Sequence, residues 1–177
     1  MRLETERLII RDWEPQDRDA YAAIVMDPHV RRFYFDVPTR DQADALIDRF
    51  IEYSLRDGCG FLPVIRKSDG VLVGDVGLVP IVMPVRGNPP VEIGWLLGKE
   101  HWGKGYAPEA AQAWLDYAFD VLHFPEVVAW TTVTNLPSQR VMQKLGMSTS
   151  PEDNFIHPKA PPGHPLGPHV LYRISRP

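Results

Sequence analysis

Six consecutive residues, Trp102-Gly103-Lys104-Gly105-Tyr106-Ala107, have the types and spacing to hold a phosphate. Gly103 and Gly105 let the chain take left-handed angles and let a bulky anion approach the main chain. Lys104 adds a mobile positive charge between them. A helix starting here would present unpaired N–H groups in its first turn, where the dipole favours negative charge. A tight strand-to-helix turn without ligand would use the same residues, so the loop suggests phosphate without naming the molecule. Two other phosphate loops fit badly. The sequence has no G-x-x-x-x-G-K-[ST], and its glycines do not follow G-x-G-x-x-G.

The elements that must position this loop are legible on both sides of it. Val91 to Leu97 is an apolar run that reads as a buried strand. From Ala107 the pattern turns helical: Ala107, Ala110, Ala111, Trp114, Leu115, Ala118 and Leu122 form one apolar face. Pro108 sits just inside the helix start, where its missing N–H costs nothing. Glu109 suits the first turn of a helix but must face away from any bound anion.

A second constellation follows about thirty residues on. After an apolar run from Val127 to Val133 comes N-L-P-S-Q-R-V-M-Q-K-L-G-M, residues 135–147. It reads as a strand, an Asn able to satisfy backbone left open at a strand end, and a short helix closed by Gly146. The two stretches together resemble motifs A and B of the GNAT superfamily of acetyl-CoA-dependent N-acetyltransferases. Motif A, [QR]-x-x-G-x-[GA], is similar to the window from Trp102 to Ala107, with Trp102 where many members carry Gln or Arg. Motif B is matched by Asn135, Ser138, Val141, Lys144, Gly146 and Met147. W-G-K-G-Y-A and the opening E-T-E-R-L-I-I-R look most like the branch of ribosomal-protein N-terminal acetyltransferases, and the resemblance covers nearly the whole chain.

The resemblance implies a mixed α/β fold: a twisted mixed β-sheet, flanked by helices, whose central strands splay to admit acetyl-CoA. It implies cofactor contacts from Leu96 and Leu97 through their backbone, from Trp102, Gly103, Lys104, Gly105, Tyr106 and Ala107, and from Asn135, Ser138 and Lys144. Direct acyl transfer requires a neutral amine, a held oxyanion and a protonated leaving thiolate. A carboxylate at Glu92 could take the amine proton directly or through water if burial raises its pKa. Strand alternation sets Glu92, Gly94 and Leu96 on one face, although a surface salt bridge would equally explain a Glu at a strand end. Many GNAT enzymes protonate the thiolate with a Tyr seven residues after the motif B Asn, but Met142 stands there. In the ribosomal-protein branch a Ser at Asn+3 serves, and Ser138 occupies that position; a helix N-cap role is the competing account. Asn135 is grouped with Glu92 and Ser138 as a catalytic candidate. Phe33, Tyr34 and Phe35, in the region that walls the acceptor pocket in relatives, are the substrate-contact candidates, or else simply cover the core.

The remainder bounds the answer. The 177 residues are read as a single domain, with a net charge of −4 that does not recommend nucleic acid. A lone cysteine, Cys59, allows no intrachain disulfide or thiolate cluster, and it reads as a partly buried small residue. No signal peptide and no membrane-length apolar run are seen, so a cytoplasmic protein is expected. Leu3–Trp13 should hold a first strand, Glu14–Met26 a helix, and Thr39 should cap a helix reaching Leu55. Gly60–Arg66 and Val71–Val82 should pair as a hairpin across K-S-D-G. The Pro-rich stretch 149–169 carries His157, His164 and His169 at spacings of seven and five residues, which fit no ordinary zinc motif. It reads as a rigid surface excursion, and no metal is expected. The acceptor is an amine: a protein N-terminus by resemblance, with a polyamine, amino acid or antibiotic as the alternative. A non-catalytic acyl-CoA-binding module is the third reading. Relatives often dimerise, so a homodimer is allowed.

Overall fold

In a computed structural model, which describes residues 1–81 and 83–177, the chain forms one nine-stranded mixed sheet carrying four α-helices. The strands are β1 (Arg2–Glu4), β2 (Leu8–Arg11), β3 (Phe61–Arg66), β4 (Leu72–Pro80), β5 (Val91–Leu97), β6 (Glu126–Thr132), β7 (Ser148–Thr149), β8 (Phe155–Ile156) and β9 (Pro168–Ser175). Their order is β1-β2-β3-β4-β5-β6-β9-β7, with β8 beside β9. The helices are α1 (Asp17–Val25), α2 (Arg40–Asp57), α3 (Tyr106–Asp120) and α4 (Leu136–Lys144).

Besides a register shift between β3 and β4 at Val64/Ile65, the sheet parts at its centre. β4 and β5 pair antiparallel over seven residues, from Gly74↔Leu97 to Pro80↔Val91. β5 and β6 run parallel and share only Val91↔Val127 and Glu92↔Val128. Beyond Glu92 the two strands part, leaving the backbone of Ile93–Leu97 without a neighbour on that side. The open end of β5 runs into α3, and the open end of β6 runs into α4. Both helix N-termini therefore flank the mouth of the V.

Packing holds the fault open. Ala110, Ala111, Trp114, Leu115 and Ala118 of α3 are buried in the core, as the apolar face anticipated. Trp114 Nε1 donates to the Val76 carbonyl of β4 at 2.9 Å, which satisfies its one polar atom inside the core. Thr39 caps α2 in a full capping box with Gln42, and α2 ends at left-handed Gly58, three residues beyond the expected Leu55.

Several elements differ from expectation in extent. The first strand is a pair, β1 and β2, joined by a tight turn. Helix α1 is shorter than Glu14–Met26 because Asp17 accepts from the Glu14 N–H and binds Arg11, which holds residues 14–16 outside the helix. Residues 33–35 form a turn and bend. The hairpin partner of β3 ends at Pro80, whose missing N–H suits a strand terminus; the expected end, Val82, lies outside the described residues.

Candidate active site

Glu92 sits on the last rung that β5 and β6 share, where the V begins. Residues directly opposite in an antiparallel pair point to the same face. Across β4–β5 the pairs Glu92↔Val79, Gly94↔Gly77 and Leu96↔Asp75 therefore place Glu92 and Asp75 on one side of the sheet. Glu92 is half-buried, and burial alone pushes its carboxyl up to about 8, with no cation or hydrogen-bond donor among the described residues pulling it back. Among the described residues, none forms the salt bridge that would have explained a Glu here.

Asp75 is a second carboxyl on that face, and sequence reasoning missed it. It is 3% exposed, and it accepts a 2.8 Å hydrogen bond from the hydroxyl of Tyr21 on α1. Burial lifts its pKa to about 7, against the pull of Tyr21 and the nearby Arg31 guanidinium. Its signal in the sequence was a lone acid inside the apolar run L-V-G-D-V-G-L-V. A carboxyl raised by burial is most favourable to folding while protonated. That contribution is full below pH 4 and is lost as pH rises through about 7. Asp75→Asn keeps an acceptor for Tyr21 and removes the charge. It should therefore gain on the order of 1–2 kcal/mol over the parent at pH 8 relative to pH 5, read by urea denaturation at the two pH values. An unchanged pH dependence of stability would show that Asp75 is not the group responsible.

The glycine loop has the geometry of an anion cradle. Gly103 and Gly105 are both left-handed, at φ 73° and 82°, and Gly105 is the N-cap of α3 with no side chain closing the helix end. Among the described residues, no carbonyl or side chain takes the N–H groups of Gly103, Lys104 or Gly105. Tyr106 and Ala107 bury their side chains, so they offer the loop only backbone. Glu109 does turn away: Thr5 Oγ1 donates to it at 2.6 Å, the Arg7 N–H at 3.0 Å and Arg7 Nε at 2.7 Å. Arg7 Nη1 also donates to the Lys104 carbonyl at 2.9 Å, which mounts the loop on the β1–β2 turn. Leu96 and Leu97 are buried by side chain; the Leu96 carbonyl faces β4 beside Gly74, and the Leu97 carbonyl accepts from Trp102 Nε1 at 2.8 Å.

At the other arm of the V, Asn135 caps α4. Its Oδ1 accepts from the Ser138 N–H at 3.3 Å, and its Nδ2 donates to Thr131 Oγ1 at 2.9 Å. Asn135 thus serves the helix end more than the strand end. The N-cap role considered for Ser138 is corrected by this: Ser138 lies inside the first turn, and no described residue engages its hydroxyl. Asn135→Ala should cost about 1 kcal/mol of stability, and Ser138→Ala less than about 0.5 kcal/mol, both measured by urea denaturation. Equal losses would contradict this division of labour. Met142 is 1% exposed and belongs to the core. Left-handed Gly146 follows the end of α4 as expected. Lys144 is exposed in the last turn of α4, about 12 Å along the helix from its start.

The aromatic candidates separate. Tyr34 stacks under the Arg31 guanidinium at 3.8 Å, and its hydroxyl lies in the field of both Asp75 and Glu92. Phe33 lies 4.5 Å from the Arg32 guanidinium. Phe35 packs its ring against His157 and His164, at 5.2 and 5.4 Å between centroids. The 149–169 excursion therefore returns to meet the residue 33–35 turns. His157 and His164 point Nδ1 at the local N–H groups of Lys159 and Leu166. Arg86 pairs with Glu152, and Arg173 with Asp153 and Glu126, which ties the 83–90 loop to the same excursion.

A parted central pair, an unclaimed glycine cradle on one arm and a capped helix on the other match what motifs A and B imply. Residues 7–148 match the family model described as an acetyltransferase (GNAT) domain. The chain is a GNAT acetyltransferase. It is 31% identical to the uncharacterized N-acetyltransferase YnaD of Bacillus subtilis over 98% of this chain and 96% of that one. It is 28% identical to the FsC-acetyl coenzyme A-N(2)-transacetylase of Aspergillus fumigatus, over 98% of this chain and 76% of that protein. Among solved structures, a GNAT-family acetyltransferase from Bacillus anthracis superposes with a TM-score of 0.82 at 29% identity, covering 99% of both chains. The ribosomal-protein-S5-alanine acetyltransferase from Vibrio fischeri reaches 0.78 at 18% identity, over 99% and 97%, a likeness of fold.

Proposed function

We propose that this acetyltransferase moves acetyl from acetyl-CoA directly to a primary amine, with a protein N-terminal α-amine as its leading acceptor. One observation carries the catalytic part: Glu92, an unpaired carboxyl where the strands part, held near neutrality by burial. An ammonium acceptor must lose a proton before it attacks, and a base poised near 8 suits that exchange. In this reading the amine forms its C–N bond to the thioester carbonyl as Glu92 takes the amine proton. Of the Leu96–Leu97 backbone, the Leu97 N–H is the donor proposed to receive the oxyanion. The C–S bond then breaks, and the Ser138 hydroxyl relays a proton to the thiolate while it regains one from solvent. The unclaimed N–H groups of residues 103–105 fit the pyrophosphate of the acyl donor.

The acceptor side is proposed as the Phe33–Phe35 turns with the 83–90 loop and the 149–169 excursion around them. A small-amine acceptor is the second reading; the Aspergillus fumigatus relative is named for transfer at an N(2) position, not for a protein N-terminus. Thiol release from acetyl-CoA, measured against N-terminal peptides, polyamines and aminoglycosides, decides between them. Peptide-dependent turnover supports the first reading, and turnover with small amines alone replaces it with the second. CoA binding with no turnover on any acceptor would count against catalysis.

A further inference from the structure

Neighbouring arginines in the turn after α1 diverge. Arg31 goes to Tyr34 and Asp36. Arg32 reaches the cofactor loop instead, lying between two rings: its guanidinium carbon is 4.5 Å from the centroid of Phe33 and 4.5 Å from that of Trp102. Trp102 is fixed in turn, because its Nε1 donates to the Leu97 carbonyl at 2.8 Å. It also directly precedes Gly103, where the unclaimed N–H groups begin.

A guanidinium lying on an aromatic face keeps its donors in its own plane, pointing outward from the stack. Arg32 uses Nη1 on the His29 carbonyl at 2.6 Å. No carboxylate among the described residues neutralises it, in contrast to Arg7, Arg31, Arg40 and Arg86. Lost rotamer freedom argues against holding an exposed Arg in one place without a ligand. Here an indole anchored on the Leu97 carbonyl holds it on the ring of the residue that leads into the backbone anion cradle. A planar fork of this kind matches the paired oxygens of a phosphate group.

We propose that Arg32 is a pyrophosphate ligand of acetyl-CoA, delivered from the turn after α1 and aimed by the Trp102 ring. This rests on reading residues 103–105 as the acyl-CoA cradle. Trp102 thereby does by stacking what a polar residue at its position would do by direct contact. The cradle gains its side-chain cation from a distant part of the chain, in addition to Lys104.

The test is titration of the full chain with CoA and with dephospho-CoA, for the parent, Arg32→Gln and Arg32→Lys. Arg32→Gln should weaken both ligands alike by about tenfold, with a shallower salt dependence. Arg32→Lys should fall between, since it keeps the charge but loses the flat stack. Unchanged CoA affinity in Arg32→Gln, with the parent binding normally, overturns the proposal. A loss confined to CoA moves Arg32 to the 3′-phosphate and also overturns it. If the parent itself fails to bind CoA, the cradle reading falls and takes this inference with it. Melting curves confirm that each variant is folded, as expected for an exposed side chain.

Discussion

Glu92→Gln is expected to lower kcat by about a hundredfold to a thousandfold while changing CoA affinity by less than about twofold. Only the carboxylate can accept a proton, so turnover should rise with pH and level off above about 8, where burial has placed the group. An acceptor amine that titrates in the same range would give a similar limb, so acceptors of different basicity should be compared. The part of the limb that stays near 8 with every acceptor belongs to Glu92 and should vanish in Glu92→Gln. The same shift acts on folding with the opposite sense. A carboxyl raised above its ordinary value is most favourable to folding below about pH 4.5, and that benefit is lost as pH climbs through 8. The Gln variant should therefore melt no lower than the parent at alkaline pH. Reduced activity together with reduced stability would point to a structural role, and an unchanged limb near 8 would remove Glu92 from the chemistry.

Gly77→Ala is expected to cost at least about 3 kcal/mol of stability, or to prevent folding at 37 °C. An added Cβ would stand 1.9 Å from the Gly60 carbonyl oxygen and 2.6 Å from Phe61 Cα. Both are backbone atoms that no rotamer change can move aside. Gly77 pairs with Gly94 across β4–β5 and with Phe61 across β3–β4, and a Cβ on Gly94 would itself press on the Phe61 ring at 2.9 Å. The glycines therefore let the Phe61 ring lie flat against the same sheet face that carries Glu92 and Asp75. A chemical-denaturation midpoint close to that of the parent would mean that the strands can shift apart there at little cost.

Local patterns made much of this legible. The strand Val91–Leu97, the α3 stripe and the Thr39 cap depend on neighbours within a few residues, so they read directly from spacing. The geometry of the glycine loop was legible for the same reason: its glycines, helix start and outward Glu109 are all local features. Pairings across the chain were not legible. Asp75 meets Tyr21 from 54 positions away, and neither residue carries a signal of the other beyond a charge in an apolar run. Arg32 has no local mark separating it from Arg31; only the tertiary fold sends one to Trp102 and the other to Tyr34. Ser138 shows the converse limit. Its spacing from Asn135 was correct, but which of the two closed the helix depended on a backbone turn at Asn135 that spacing does not encode.

The ring of segments around Phe35 has a bearing on how such a protein can diversify. The turns at 33–35, the loop at 83–90 and the stretch at 149–169 hold one another through stacked rings and surface ion pairs. The ladder from β2 through β5 is built without them, whereas Val85 and Phe155 help bury Val128 of β6. Apart from Phe33, Val85 and Phe155, change in those segments leaves the centre of the sheet untouched. Under the proposed reading, lineages descended from such a scaffold can alter what they acetylate much faster than how they do it. Two relatives can then share a sheet and a donor while acting on unrelated amines.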